Sequence, residues 1–302
     1  MILVTCGNFY ISSHIIIQLL QNNYNCIALD LPNEYNSKIT KITGKSPIIY
    51  PTSNLEEIFA THHISTVIYL TDNTCGNYLD LTSQNVSFTV KLLQLMKSYN
   101  VKNLIYQSTN KVSAISTPFV QSIKIVEQIL EEECQQNNFN ITVLRCSNPI
   151  GNHCSGEIGD TNSNILPTLM KVVHQQDSMY YFGDEYRFFT VKSDNLHNYI
   201  HIEDMAQAFL YALQSFKDYK IYDVGSDIYL TPQQLCEIAV KITGVDITTK
   251  KEIVQQKNIG CDTEKIRKEL GWIAKKTVED AVKDSWKYQQ TQKLEFIVCG
   301  KN

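Results

Sequence analysis

The stretch ILVTCGNFYISSHIIIQLLQNNYNCIALDL, residues 2–31, decides the fold. It opens on an apolar run rich in β-branched side chains, residues 2–5. The run is short and apolar throughout, as a strand covered on both faces must be. A turn follows, and residues 13–21 then carry apolar side chains at helical spacing. Residues 25–31 (NCIALDL) form a second strand pattern. Strand, helix and strand in so short a space is the unit from which parallel sheets are built.

The same rhythm continues outward. Strand patterns recur at residues 48–50, 66–70, 104–107 and 141–145, and helical ones at 55–61, 85–99 and 122–136. This alternation predicts an α/β fold around a doubly wound parallel sheet. After Asn148 it breaks into a longer irregular stretch. Helical patterns return at 165–175, 205–216, 263–270 and 278–290, and Thr231-Pro232 opens another that runs to Thr243. We expect residues 1–150 to form the sheet domain, which also receives later strands, and 151–302 to form mainly a small cap.

With 302 residues, 43% of them hydrophobic and 19% charged, the chain can bury a large core. A net charge of −4 provides no basic surface for nucleic acid. The nine cysteines lack any CxxC pair or metal-ligand spacing, so reduced, mostly buried thiols are expected and no metal site. The apolar N-terminus has no basic region before Lys38, and the apolar runs are short and interrupted. A cytoplasmic protein without membrane contact is the expectation.

Several longer segments carry a resemblance. LRCSNPIGNHCSGEIG (144–159) is similar to the pattern LRYFNPVGAHPSGxIG, and SNILP (163–167) to NNLMP. YIHIEDMA (199–206), ELGW (269–272) and DSWKYQ (284–289) are similar to YIHVxDLA, ELGW and DSWxWQ. VTCGNFYISSH (4–14) lies on VTGGxGxIGSH. Together they resemble the extended short-chain dehydrogenase/reductase family in its NAD-dependent epimerase/dehydratase branch, and most of all the UDP-glucose 4-epimerases. The resemblance implies a Rossmann-type sheet with a C-terminal substrate-binding cap, NAD as cofactor and a UDP-sugar as substrate. It implies cofactor contacts at Gly7, Tyr10, Ile11, Asp30 and Asn85, and substrate contacts at Asn148 and Asn164. Thr109 falls at the catalytic Ser/Thr position. The helices at 85–99 and 122–136 correspond to the family's dimer surface, so a homodimer, or a heterodimer with an active paralogue, is expected.

The catalytic pattern itself departs from the family. PFVQSIKIVEQIL (118–130) aligns with PYxxSKxxxEQxL, which puts Phe119 at the tyrosine and Ile123 at the lysine. In the family the tyrosine takes a hydroxyl proton, and the lysine lowers its pKa and holds the nicotinamide ribose. Phenylalanine has no proton to exchange and isoleucine no charge. Lys124 is one residue off, a rotation of about 100° on a helix. The three glycine positions of the phosphate loop are Cys6, Phe9 and Ser12, with only the neighbouring Gly7 left, so poor NAD affinity is expected. His197-Asn198 replaces an Arg-Asp pair whose arginine clamps a UDP phosphate.

The surviving residues each have a local reading too. Thr109 could cap the strand end, Asn148 could serve a turn before Pro149, Asn164 could be a helix N-cap, and Asp30 could start a turn. The expectation is a catalytically degenerate epimerase-like protein with a binding or regulatory role. The alternative is an active NAD-dependent UDP-sugar epimerase or dehydratase with non-standard acid–base residues.

Overall fold

The computed structural model describes the chain except residues 6–8, 72–76, 115, 162–163, 174–177, 182–183, 192–193, 252–258 and 300–302, and the side chains of 178–181, 184–188 and 293–299. In chain order the elements begin β1 (Ile2–Thr5), α1 (Phe9–Gln21), β2 (Cys26–Leu29), α2 (Asn33–Thr43), β3 (Ile48–Tyr50), α3 (Leu55–Thr61) and β4 (Thr66–Leu70). They continue as α4 (Tyr78–Ser98), β5 (Asn103–Thr109), α5 (Pro118–Asn137), β6 (Asn140–Cys146), β7 (Asn148–Ile150), α6 (Ile165–Val173), β8 (Ser178–Tyr181) and β9 (Asp184–Val191). The last are β10 (His197–His201), α7 (Ile202–Ala212), β11 (Tyr219–Val224), β12 (Tyr229–Leu230), α8 (Pro232–Thr243), β13 (Thr248–Lys251), α9 (Glu264–Leu270) and α10 (Val278–Cys299).

The chain forms two compact units. The first comprises Met1–Ser147, Ala206–Val224 and Cys261–Ile273. Its seven strands run β11-β6-β5-β4-β1-β2-β3, every neighbouring pair parallel. This is the α/β parallel sheet that the alternation predicts. Alternate strand residues Leu3, Ile27, Val67, Leu104, Tyr106, Ile141 and Val143 join one core with α3, α4 and α5. The period of two along each strand and the apolar stripes of the helices meet there.

The second unit comprises Asn148–Met205, Gly225–Gly260 and Ala274–Asn302. It holds two small sheets, β12-β10-β7 and β13-β9-β8. The expectation of an irregular stretch after Asn148 is therefore corrected. β8 and β9 form a local antiparallel pair, but β7 and β13 are short and their partners, β10 and β9, are distant in sequence. No local alternation announces them. The core of this unit gathers Leu166, Leu169 and Met170 of α6, Leu235 and Ala239 of α8, and Ala281 and Val282 of α10.

Helix ends also move. α1 starts at Phe9 rather than residue 13, α4 at Tyr78 rather than 85, and α7 at Ile202 rather than 205. For α4 the cause is visible, since the Asn77 side chain accepts the Asp80 N–H as an N-cap. α8 opens as expected, with Thr231 and Gln234 in a reciprocal capping box around Pro232. α5 starts the same way, with Thr117 as cap and Pro118 in the first turn. No helix among the described residues is long and apolar enough to cross a membrane.

Candidate functional site

In a doubly wound sheet, ligands bind at the carboxyl ends of the strands, where the strand order reverses. Here the reversal lies at β1, whose neighbours are β2 on one side and β4 on the other. Gly7 lies outside the described residues. Just beyond it, the ring of Phe9 packs on Tyr35 of α2, with centroids 5.5 Å apart. Tyr10 and Ile11 are buried in the first turn of α1. The Tyr10 carbonyl accepts from His14 Nδ1 at 2.6 Å, which places an imidazole proton on that nitrogen.

Asp30, at the end of β2, has φ 53°, a left-handed conformation that asparagine and aspartate tolerate best among side-chain-bearing residues. Its carboxylate turns toward the segment after β3. Oδ1 accepts the Thr52 N–H at 2.9 Å and Oδ2 accepts the Thr52 hydroxyl. The side chain is exposed and fixed in place by this pair of bonds.

At the end of β5, neighbouring residues point to opposite faces. Ser108 is buried and donates to Glu127 Oε1 of α5 at 2.5 Å. Arg145 of β6 completes the group with a two-pronged ion pair to Glu127, Nε to Oε1 at 3.0 Å and Nη2 to Oε2 at 2.6 Å. The parallel, planar geometry makes this the strongest type of ion pair. Thr109, on the other face, is half-buried, and its hydroxyl accepts the Lys111 N–H at 3.3 Å. It thereby caps the single 3₁₀ turn Asn110–Ser113. Within that turn, burial pushes the Lys111 amine below its ordinary pKa.

α5 carries the two positions where the tyrosine and lysine of the resembling pattern would stand. Phe119 is half-buried and packs against the first unit's core. Ile123 is 1% exposed and belongs to that core outright. Lys124 is displaced round the helix and half-buried. Between them, Ser122 is fully buried. Its hydroxyl donates to the Phe119 carbonyl at 2.8 Å and accepts from Asn85 Nδ2 of α4 at 2.9 Å. Asn85 thus ties α4 to α5 through its side-chain amide.

In the second unit, Asn148 opens β7 and donates from Nδ2 to the Asn198 carbonyl of β10 at 3.0 Å. Asn198 is buried and clamps the 226–228 turn, donating to the Ser226 carbonyl at 2.6 Å and accepting the Ser226 N–H at 3.1 Å. The ring of His197 packs on Tyr199 at 6.0 Å. Asn164 is exposed, and its amide reaches back to Asp160 Oδ2 at 2.7 Å, while its carbonyl accepts the Thr168 N–H and hydroxyl.

The model of the NAD dependent epimerase/dehydratase family matches residues 2–225. The chain belongs to that family. Over 96% of its length it is 29% identical to a UDP-glucose 4-epimerase of Yersinia enterocolitica, of which 97% is covered. A second UDP-glucose 4-epimerase, from Schizosaccharomyces pombe, is 29% identical over 96% of this chain and 94% of its own length. Among solved structures, a UDP-glucose-4-epimerase from Stenotrophomonas maltophila, with bound NAD and formylated UDP-arabinopyranose, superposes with a TM-score of 0.84. That likeness covers 97% of this chain and 99% of that one at 23% identity. The Bifidobacterium longum UDP-glucose 4-epimerase in complex with NAD+ and UDP gives 0.82 at 24% identity, covering 97% and 98%.

For this epimerase-family chain, two features of the site are absent from the sequence reading. One is the Ser108–Glu127–Arg145 group, and the other is the clasp of Asp30 by Thr52. Glu127 and Arg145 belong to two separate segments of the chain, and only the fold brings them together. A cleft of about 480 Å³ lies between Thr61–Ser65 and Tyr99–Asn103, at the amino ends of β4 and β5. It is on the wrong side of the sheet for the family's chemistry.

Proposed function

We propose that this chain is a catalytically degenerate member of the UDP-glucose 4-epimerase group, retained to bind a sugar nucleotide rather than to turn it over. The observation that carries the reading is Ile123. At the position where the family's lysine would hold the nicotinamide ribose and poise a tyrosine, an apolar side chain is packed into the core. Phe119 beside it has no proton to give or take. The first unit is the cofactor-type sheet domain of this reading, and the second is the substrate cap.

NAD, present in the solved relatives, fits only half of the described residues. Asp30 keeps lone pairs for an adenosine ribose beyond those taken by Thr52, and Asn85 and Thr109 are the other candidates for cofactor contact. At the nicotinamide end, the buried Ile123 leaves no amine at the family's position. NAD therefore does not fit as a working hydride carrier, and no step is derived through it. On the substrate side, Asn148 and Asn164 are the candidates for UDP-sugar contacts. Pairing with a second copy or an active relative is part of the same reading, and α4 exposes Leu79 and Val90 for it.

One observation favours the alternative of an active enzyme with non-standard groups. Lys111 sits two residues after Thr109, with its pKa lowered by burial, which suits an amine acting as an acid–base group. A single experiment separates the two readings. Purified protein is supplied with NAD and UDP-galactose, and UDP-glucose formation is followed alongside calorimetry with NAD, UDP and UDP-glucose. We expect binding of the uridine nucleotides, weak or no binding of NAD, and no interconversion. Interconversion at an ordinary enzymatic rate, lost in Lys111→Met, would overturn the proposal in favour of the alternative.

A further inference from the structure

Within the second unit, the loop after β7 and the first turn of α7 bring together a histidine, a cysteine and a glutamate. His153, Cys154 and Glu203 each offer one ligand atom, and these atoms lie within 4.8 Å of one another. His153 is buried and Cys154 exposed. The loop is shaped by its own backbone, with the His153 N–H donating to the Ile158 carbonyl and the Gly156 N–H to the His153 carbonyl, both at 2.9 Å.

Neighbouring charges hold Glu203 in place. Its Oε1 accepts the Cys154 N–H at 2.9 Å, and its Oε2 takes the Lys276 ammonium at 2.6 Å. Lys276 also meets Asp284 at 3.2 Å, and Asp284 accepts from His201 Nε2 at 3.2 Å. The His201 tautomer is fixed, because its Nδ1 accepts the Glu203 N–H at 3.1 Å. Burial alone would raise the Glu203 pKa, but Lys276, the Cys154 N–H and His153 together carry it down to about 2.

We propose that His153 Nε2, Cys154 Sγ and Glu203 Oε1 form a binding site for a divalent transition-metal ion, zinc foremost, with water completing the tetrahedron. The mixed nitrogen, sulfur and oxygen set suits an ion of borderline softness. His153 Nε2 is 3.9 Å from Glu203 Oε1. Tetrahedral zinc with bonds of about 2.0–2.3 Å needs ligand atoms roughly 3.3–3.8 Å apart, so small side-chain rotations close the site. The exposure of Cys154 leaves room for the water.

The charges agree. Glu203 and Asp284 against Lys276 leave one net negative charge. A divalent ion with a thiolate brings that sum to zero. Lys276 does not block the ion, because it occupies Oε2 and leaves Oε1. His153 turns its Nε2 toward Glu203. Its Nδ1 now accepts the Ser155 N–H at 3.1 Å, so binding at Nε2 shifts the ring proton to Nδ1, where Ser155 Oγ stands 2.8 Å away to accept it. Burial first and Glu203 second raise the Cys154 thiol. Metal binding therefore expels that proton to solvent, and affinity rises with pH. The family pattern does not supply this site: Cys154 stands at its proline and Glu203 at its variable position.

The test is titration of the metal-free full chain with Co2+ and then Zn2+. We expect one equivalent of cobalt to give a thiolate-to-metal charge-transfer band in the near ultraviolet, which zinc then bleaches. Cys154→Ser, an exposed change that leaves the fold intact, should abolish the band. It should also weaken zinc binding by more than the roughly 10–100-fold that changes around a ligand cost. Glu203→Gln should keep the band and weaken binding. The absence of a band in the native chain, or an unchanged band in Cys154→Ser given the other cysteines present, overturns the proposal.

Discussion

Two neighbouring stretches of α5 stand in contrast. Toward its middle, Glu127 keeps a buried, two-pronged pair with Arg145 and a bond from Ser108, an arrangement that anchors the helix to β5 and β6. One turn earlier, where the family's reacting groups belong, the helix presents Phe119 and Ile123 to the core. Anchoring and chemistry thus occupy neighbouring turns of one helix yet stand under different physical constraints. A buried ion pair that loses one member leaves a charge stranded in apolar surroundings. A catalytic lysine that becomes isoleucine leaves only a better-packed core. Under the proposed reading, giving up the reacting pair costs the fold little, whereas giving up the anchor costs it much.

The comparison can be broken most forcefully at the anchor. Arg145→Ala should strand Glu127 and cost about 3 kcal/mol of stability, toward the lower end for such pairs because Arg145 is partly exposed. Urea denaturation reads it, and a loss within error would mean that the anchor is dispensable. A smaller effect is expected from Ile123→Lys. Inserting an ammonium into that core position should cost about 2 kcal/mol, since the long stem can carry the charge toward the surface. An unchanged midpoint would show instead that the face of α5 at Ile123 opens onto a solvated site. The smallest effect belongs to Phe119→Tyr. Phe119 is half-buried, so stability should move by less than about 0.5 kcal/mol. Epimerase activity should not appear, because the added phenol lacks its lysine.

Much of the first unit was legible because strand and helix periodicities are local. The runs at residues 2–5, 66–70 and 141–145 were apolar on both faces, which only a central strand in a parallel sheet requires. That Ile123 is buried in the core of this unit came only with the structure. The second unit was less legible. β7, β10 and β13 are short, and their pairing with segments tens of residues away gives no repeat within any one window. Of the candidate site residues, Thr109 shows the capping that its local reading foresaw. Asn164 donates its side-chain amide to Asp160, and its carbonyl accepts the first bond of α6 from the Thr168 N–H.

By itself the sequence determined the parallel sheet, the family and the absence of a titratable pair at Phe119 and Ile123. Each of these is written in residue types at fixed spacing. Only the tertiary structure decided where polar groups spend their hydrogen bonds: Asp30 on Thr52, Asn85 on Ser122, Glu127 on Arg145, and Glu203 among Cys154, His153 and Lys276. These partners are distant along the chain. They meet because burial of apolar surface carries them together, and a buried polar group must then find whatever partner packing has brought within reach.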